Sequence, residues 1–230
     1  MRLNHLLQKA LYLILFSYIS CSSIFAAVPT SRVIKGIQNR FEQIGDFQAN
    51  LVQTNRDMNG GKTIYSGKIY FKKPEKIRLN YFSKDTNQLE QEAITDGESL
   101  WLYTVSLKQI TKQKLDPKSL PLPFLVLGGA TQIDESFREK NYIKPIERVK
   151  VGKITALEII VKPKSKKPDY DEQILWVDEK TYLPLKAQIK DTLGNISTVE
   201  FSEIQCNKGL PDSIFEMVKK PGISYVELPN

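Results

Sequence analysis

Alternating apolar and polar positions dominate the chain from Phe47 onward. Phe47, Ala49, Leu51 and Gln53 interleave with Gln48, Asn50, Val52 and Thr54, a period of two that predicts a half-buried strand over 47–54. Asn59-Gly60-Gly61 supplies a turn, and 62–72 reads as the returning strand, with Ile69 and Phe71 on one face and Tyr70 on the other. Lys73-Pro74 interrupts the ladder, because proline has no N–H to donate. The following strand puts Ile77, Leu79 and Tyr81 on one face and Arg78, Asn80 and Phe82 on the other. The stretch 92–103, EAITDGESLWLY, reads as a hairpin about Asp96-Gly97, a pair suited to a type I′ turn with both central residues at positive φ. Leu100 and Leu102 face one way, Trp101 and Tyr103 the other. Neither side is polar, so apolar cover is expected on both.

Helical periodicity occurs in two kinds of segment. Val33, Ile34, Ile37, Phe41 and Ile44 fall on one face of a helix that Thr30 or Ser31 is expected to cap and Gly45 to end. The stretch 117–129, with its Phe-Leu-Val-Leu run between prolines and glycines, predicts a short, very apolar helix or turn. So short a helix is marginal alone and needs a surface to hold it. A second short helix is expected over 134–140. Further strands are predicted over 109–115, 153–161, 172–177, 183–191, 196–205 and near 223–226. These elements predict a mainly β protein built on a single highly curved antiparallel sheet of about eleven strands, because so large a sheet twists and curls rather than staying flat. Short α-helices are expected to cover its concave face, giving an incomplete barrel around an apolar cavity. No repeat or long linker divides the chain, so one domain is expected.

The first residues change the chemistry available to the rest. Arg2, His5 and Lys9 precede an apolar stretch over 10–19 and the small residue Ala26, the layout of a secretory signal peptide of residues 1–26 ahead of a domain over 27–230. The apolar core is too short for a spanning helix, so an exported, soluble protein is expected. A second reading takes Tyr18-Ile19-Ser20-Cys21 as a lipoprotein acylation site at Cys21, with Tyr18 standing where a leucine-like residue is usual. Cleavage after Ala26 removes His5, the single histidine, and Cys21, leaving Cys206 as the remaining cysteine. Ser-His-Asp and Cys-His catalysis, histidine metal ligation and an intramolecular disulfide are then excluded. Cys206 is expected to pack as a small buried apolar group.

Loss of Arg2 and Lys9 with the leader lowers the formal net charge from +7 to +5. The basic residues are scattered and not interleaved with aromatics, so no nucleic-acid groove is expected. The cluster Lys162, Lys164, Lys166 and Lys167 reads as a solvated hairpin tip rather than a docking site for anionic head groups. Asp134-Glu135 and the acidic residues of 169–172 lie beside turns and read as solvated charge rather than acid/base pairs. No cofactor or metal motif is present, and a monomer is expected.

Five motifs in order carry a family resemblance. They are Gly67-Lys68-Ile69-Tyr70-Phe71, a basic residue before Pro74, Asp96-Gly97 with Leu100-Trp101-Leu102-Tyr103, Pro123-Phe124-Leu125, and Asp191-Thr192-Leu193-Gly194-Asn195. With 47–53 and 221–223 they span nearly the whole mature chain, which resembles the periplasmic outer-membrane lipoprotein carrier family (LolA-like). The resemblance implies a non-enzymatic periplasmic shuttle. It would take acylated lipoproteins from an inner-membrane ATP-driven lipoprotein-releasing complex and hand them to an outer-membrane acceptor.

Ile77, Leu79, Trp101, Phe124, Leu125, Leu127, Ile37 and Phe41 are the expected acyl-chain contacts, with the N-terminal helix and 120–128 closing the cavity when it is empty. In the family the residue before the proline is usually arginine, able to latch a lid by bidentate hydrogen bonds. Here it is Lys73, a point charge on a flexible stem. Rival readings are a membrane-anchored acceptor on the same fold, if Cys21 is acylated, and a periplasmic sensor or regulator that binds a protein partner. A hydrolase using paired carboxylates comes last, for want of a polar cleft.

Overall fold

Among the described residues, thirteen strands join in one sheet that wraps around an N-terminal helix. The computed structural model describes residues 28–115, 135–218 and 221–228. The expected leader 1–26, Cys21, and the 117–129 segment with Phe124, Leu125 and Leu127 lie outside the described residues. Helix α1 (Thr30–Glu42) leads into β1 (Asp46–Arg56), β2 (Lys62–Lys72), β3 (Lys76–Phe82), β4 (Leu89–Thr95), β5 (Ser99–Thr104) and β6 (Gln109–Lys114). The short helix α2 (Glu135–Lys140) precedes β7 (Asn141–Ile143), β8 (Glu147–Val151), β9 (Ile154–Pro163), β10 (Glu172–Asp178), β11 (Pro184–Lys190) and β12 (Ile196–Cys206). A 3₁₀ turn (Asp212–Phe215) and β13 (Ser224–Glu227) follow.

The strand order is β13-β6-β5-β4-β3-β2-β1-β12-β11-β10-β9-β7, with β8 also paired to β9. The two edges do not pair with each other, so the barrel is incomplete. β1 is the central seam: it holds β2 in one unbroken register from Asp46↔Lys72 to Arg56↔Lys62 and takes β12 on its other side. The register against β12 slips at Gln48/Asn50, where Glu203 adopts φ 52°, a bulge of the kind that bends a strand and tightens sheet curl.

Several expectations need correction. Thirteen strands form among the described residues rather than about eleven, because 141–151 contributes β7 and β8. β7 has three residues and β8 is largely charged, so neither shows the alternation that marks a strand, and pairing with β9 defines both. β13 runs parallel to β6, not antiparallel. Thr30 and Ser31 lie inside α1 and provide no side-chain cap; the Pro29 carbonyl accepts from the Arg32 and Val33 N–H groups instead.

Gly45 does not end α1 by taking a left-handed conformation. Asn207, at φ 57°, receives the Gly45 N–H on Oδ1 at 2.8 Å and donates Nδ2 to the Gln43 carbonyl at 3.1 Å. The 96–97 turn is not type I′, since Gly97 (φ 100°) has positive φ and Asp96 does not. The Asp96 carboxylate instead accepts from the Glu98 and Ser99 N–H groups at 2.9 and 2.8 Å.

The core lies on the concave side. Val33, Ile37, Phe41 and Ile44 from α1 and the adjoining turn pack with Phe47, Leu51, Ile69 and Leu79 from β1–β3, and with Leu157, Ile159, Val177 and Val199 from the other half of the sheet, in one apolar cluster. A smaller layer lies on the convex side. Ile94 and Ile110 are buried there, and the 3₁₀ turn carrying buried Phe215 packs on β3. Cover on the Trp101/Tyr103 side of β5 is therefore only partial: Leu100 is buried, while Trp101 and Tyr103 are half-buried.

Gly67 in β2 shows why a motif glycine is needed. A Cβ there would sit 2.7 Å from the Asn80 backbone oxygen, 3.1 Å from Leu51 Cδ1 and 3.3 Å from Tyr81 Cδ1. The backbone atom cannot yield, so the ladder must. Gly67→Val is expected to destabilise the fold by about 2–3 kcal/mol, in the range of overpacked cores. A chemical-denaturation midpoint equal to wild type would refute that close approach.

Candidate ligand-binding face

The concave positions of neighbouring strands form continuous rows. One row runs Phe47-Phe71-Ile77-Thr95-Leu100, the next Ala49-Ile69-Leu79-Ala93-Leu102, each residue registered against its neighbour. Alternation along each strand delivers these side chains to one face, and α1 lays Ile37 and Phe41 against them. Four of the expected lining residues, Ile37, Phe41, Ile77 and Leu79, thus meet in one buried apolar cluster on this face. Trp101 does not. It registers with Ile94 and Lys112, and its Nε1 donates to the Tyr225 hydroxyl at 3.3 Å, which places it on the convex face beneath the Lys112 ammonium. The alternation of β5 allows either side, and the registers of β4 and β6 decide it.

Lys73 occupies a cis Lys73–Pro74 turn. Its Nζ donates to the Glu42 carbonyl at 2.7 Å and its backbone N–H to the Gly45 carbonyl at 2.9 Å. Here it fastens the C-terminal end of α1, where a cation also suits the helix dipole.

Asp46 fixes the same corner from below. Its buried carboxylate accepts the N–H groups of Lys208, Gly209 and Leu210 at 2.7, 2.8 and 3.3 Å. Burial alone would raise its pKa, but those three donors together with the Lys72 charge hold it below the usual carboxylate value. Lys72 also donates to the Leu210 carbonyl at 2.8 Å and pairs with Asp212 at 2.8 Å.

Sequence reasoning singles out no polar group on the concave face, yet one exists. Gln53 and Tyr81 are buried side by side, the Tyr81 hydroxyl donating to Gln53 Oε1, and Gln53 Nε2 donates to Asn55 Oδ1 at 3.0 Å. Tyr65, registered against Gln53, lays its ring 5.5 Å from that of Tyr81. Burial raises the Tyr81 pKa, with a smaller contribution from Tyr65, so the phenol remains a donor. Tyr81 reaches β1 from β3 across Gly67, where β2 has no side chain. The available signal is a glutamine at an inward position of an otherwise apolar alternation.

The remaining candidates find ordinary partners. Glu172 pairs with Lys162 at 3.2 Å and Lys144 at 3.8 Å, and Tyr170 donates to Asn141 Oδ1 at 2.9 Å. Lys164 donates to the Arg138 carbonyl and lies over the Tyr142 ring. Cys206 is half-buried rather than fully buried. Burial pushes its thiol pKa up, against the opposing effect of the Arg40 guanidinium. Among the described residues no group of three His, Cys, Asp or Glu side chains could hold a metal, and no helix is long and apolar enough to cross a membrane.

Among the described residues the protein is an open, curled sheet whose apolar concave face is covered by a helix. The profile of the family described as outer membrane lipoprotein carrier protein LolA matches residues 42–218, and this chain belongs to that family. Its members are carriers rather than enzymes. The outer-membrane lipoprotein carrier protein of Hahella chejuensis is 24% identical over 222 residues, covering 95% of this chain and 98% of the relative. That of Nitrosospira multiformis is 27% identical over 161 residues, covering 70% and 72%. Among solved structures, an uncharacterized conserved protein from Thermus thermophilus superposes with a TM-score of 0.56 over 86% of this chain and 98% of that one. At 9% identity that is a likeness of fold alone.

Proposed function

We propose that this protein is a periplasmic carrier that binds the acyl chains of lipoproteins and shields them between membranes. It would receive its cargo from an ATP-driven releasing complex in the inner membrane and deliver it to an acceptor at the outer membrane. The observation that supports this most directly is the apolar cluster of Ile37, Phe41, Ile77 and Leu79 on the concave face, in a chain of the carrier family.

The mechanism is a competition between apolar contacts. Each methylene taken out of water is worth about 0.8 kcal/mol, so one long acyl chain offers on the order of 10 kcal/mol gross. Release requires that the empty state recover much of that by closing on itself. α1 and the 120–128 segment are the closing elements in this proposal, with Phe124, Leu125 and Leu127 contacting the chains and Lys73 holding the α1 end of the lid.

Native mass spectrometry of the mature protein with a triacylated lipoprotein and with its unacylated form tests the reading. A one-to-one complex with the acylated form alone is expected, and Phe124→Asp or Leu127→Asp is expected to abolish it while far-UV circular dichroism still reports the sheet. Equal binding of both forms would identify a protein-recognition module instead. The mass of the mature N-terminus separates a free carrier from an anchored acceptor acylated at Cys21.

A further inference from the structure

The concave face is apolar at one end and polar at the other. Along β1 the inward positions run Phe47, Ala49, Leu51, Gln53, Asn55; along β2 they run Phe71, Ile69, Gly67, Tyr65; along β12, Phe201, Val199, Ser197. All three sequences change character in the same direction, from the corner where Lys73 and Asn207 hold α1 toward the 57–61 turn. The apolar end is filled by packed side chains. The polar end is partly open, and Tyr65 and Asn55 there are half-buried.

Tyr81 is consumed by Gln53, and Gln53 by Asn55. The Tyr65 hydroxyl and Asn55 Nδ2 have no hydrogen-bond partner among the described residues, although Tyr65 packs against the apolar cluster and Asn55 is registered two positions along the same face. Two neighbouring donors at the polar limit of an apolar face match a ligand whose hydrocarbon ends in carbonyl oxygens. Gln53 and Tyr81 keep the pair in place, because each is nine-tenths buried, with Tyr81 hydrogen-bonded to Gln53 and Gln53 to Asn55.

Resting on the carrier reading above, we propose that Tyr65 and Asn55 form a subsite for the ester carbonyls of an acylated glycerol. The glycerol would then sit toward the 57–61 turn with its chains running toward α1. A hydrocarbon chain alone gives no reason for donors here, and a free carboxylate would call for a cation. Neutral donors at the polar limit of an apolar face discriminate carbonyl-bearing lipids from ethers of equal length, because an ether is the poorer acceptor.

The test uses a synthetic S-(2,3-bis(palmitoyloxy)propyl)-cysteine peptide, the corresponding dialkyl diether of matched length, and dipalmitoylphosphatidylglycerol, each titrated into the mature wild-type protein. The diester peptide is expected to bind about tenfold more tightly than the diether, the scale of one to two neutral hydrogen bonds. Tyr65→Phe keeps the ring packing. It is expected to cut that preference to about threefold with diether affinity unchanged, and Tyr65→Phe/Asn55→Ala to abolish the preference.

Equal wild-type binding of diester and diether overturns the subsite while leaving the carrier reading intact, as does a Tyr65→Phe loss equal for both. Binding of neither peptide overturns both. Phosphatidylglycerol binding as tightly as the diester peptide supports a subsite for glycerol diesters in general. Its rejection supports the same subsite confined to the thioether-linked form.

Discussion

Replacing Arg78 by leucine is expected to lower the stability of the fold by about 3 kcal/mol. The guanidinium pairs with Glu92 at 2.7 Å, donates to Asn80 Oδ1 at 3.1 Å and to the Ile214 carbonyl at 2.7 Å. Glu92 is buried, with 7% of its side chain exposed, so removing Arg78 takes this ion pair away from a poorly solvated carboxylate. The 3₁₀ turn over 212–215 loses its anchor to β3 in the same step. In a protein of this size the melting temperature should fall by about 6–12 °C, and limited proteolysis should cut within 208–218.

The double variant Arg78→Leu/Glu92→Leu separates the two causes. If loss of the ion pair dominates, the second substitution restores most of the loss, since apolar replacement of both partners of a buried pair is often neutral. If the anchor to Ile214 dominates, the double variant stays as unstable as the single one and the 208–218 cuts persist. A single variant as stable as wild type would refute the role given to the pair.

Asp46→Asn is expected to cost about 2 kcal/mol through a different route. Three backbone N–H groups converge on the carboxylate. Hydrogen bonds to a charged acceptor contribute more than neutral ones, and an amide turns one acceptor into a donor facing donors. The corner joining β1 to 207–210 also holds Asn207, which ends α1, so the helix should fray with it. Hydrogen exchange of the α1 amides is the measurement, with faster exchange expected in the variant.

The pH dependence has a definite sign. The folded-state pKa of Asp46 lies below the ordinary carboxylate value of about 3.9. Its contribution is therefore full above that value and is lost as pH falls through the folded pKa. The stability gap between wild type and Asp46→Asn should be constant from pH 5 to 7 and should close on acidification below about pH 4. A gap that widened in acid would contradict the assignment.

Much of the fold is legible in the chain alone. The faces of β1, β2 and β3 follow from alternation, because a two-residue period and one buried side leave a single choice. Alternation assigns Ile77 and Leu79 to the concave face, and both are buried in its cluster; Ile37 and Phe41 follow from helical spacing in the same way. Trp101 is not decidable on that ground, because both faces of β5 carry large apolar side chains. Its side is a property of the β4 and β6 registers. β8 escapes notice because charged residues occupy three of its five positions. The direction of β13 is equally hidden, because four residues carry no sign of whether their partner runs parallel.

The amino-acid sequence by itself determined a mainly β chain with one amphipathic N-terminal helix, an apolar inward face, and no histidine-based chemistry beyond the expected leader. These are local properties, written in side-chain periodicity and composition, and need no knowledge of distant contacts. The tertiary structure alone decided which residues stop α1, where Lys73 donates, and how Tyr81 crosses Gly67 to reach Gln53. Each of those depends on groups far apart in the chain, such as Asn207 beside Gly45 or β3 beside β1 with β2 between them. Such groups become neighbours only once register and sheet curl are set, and no pattern confined to a few consecutive residues records that.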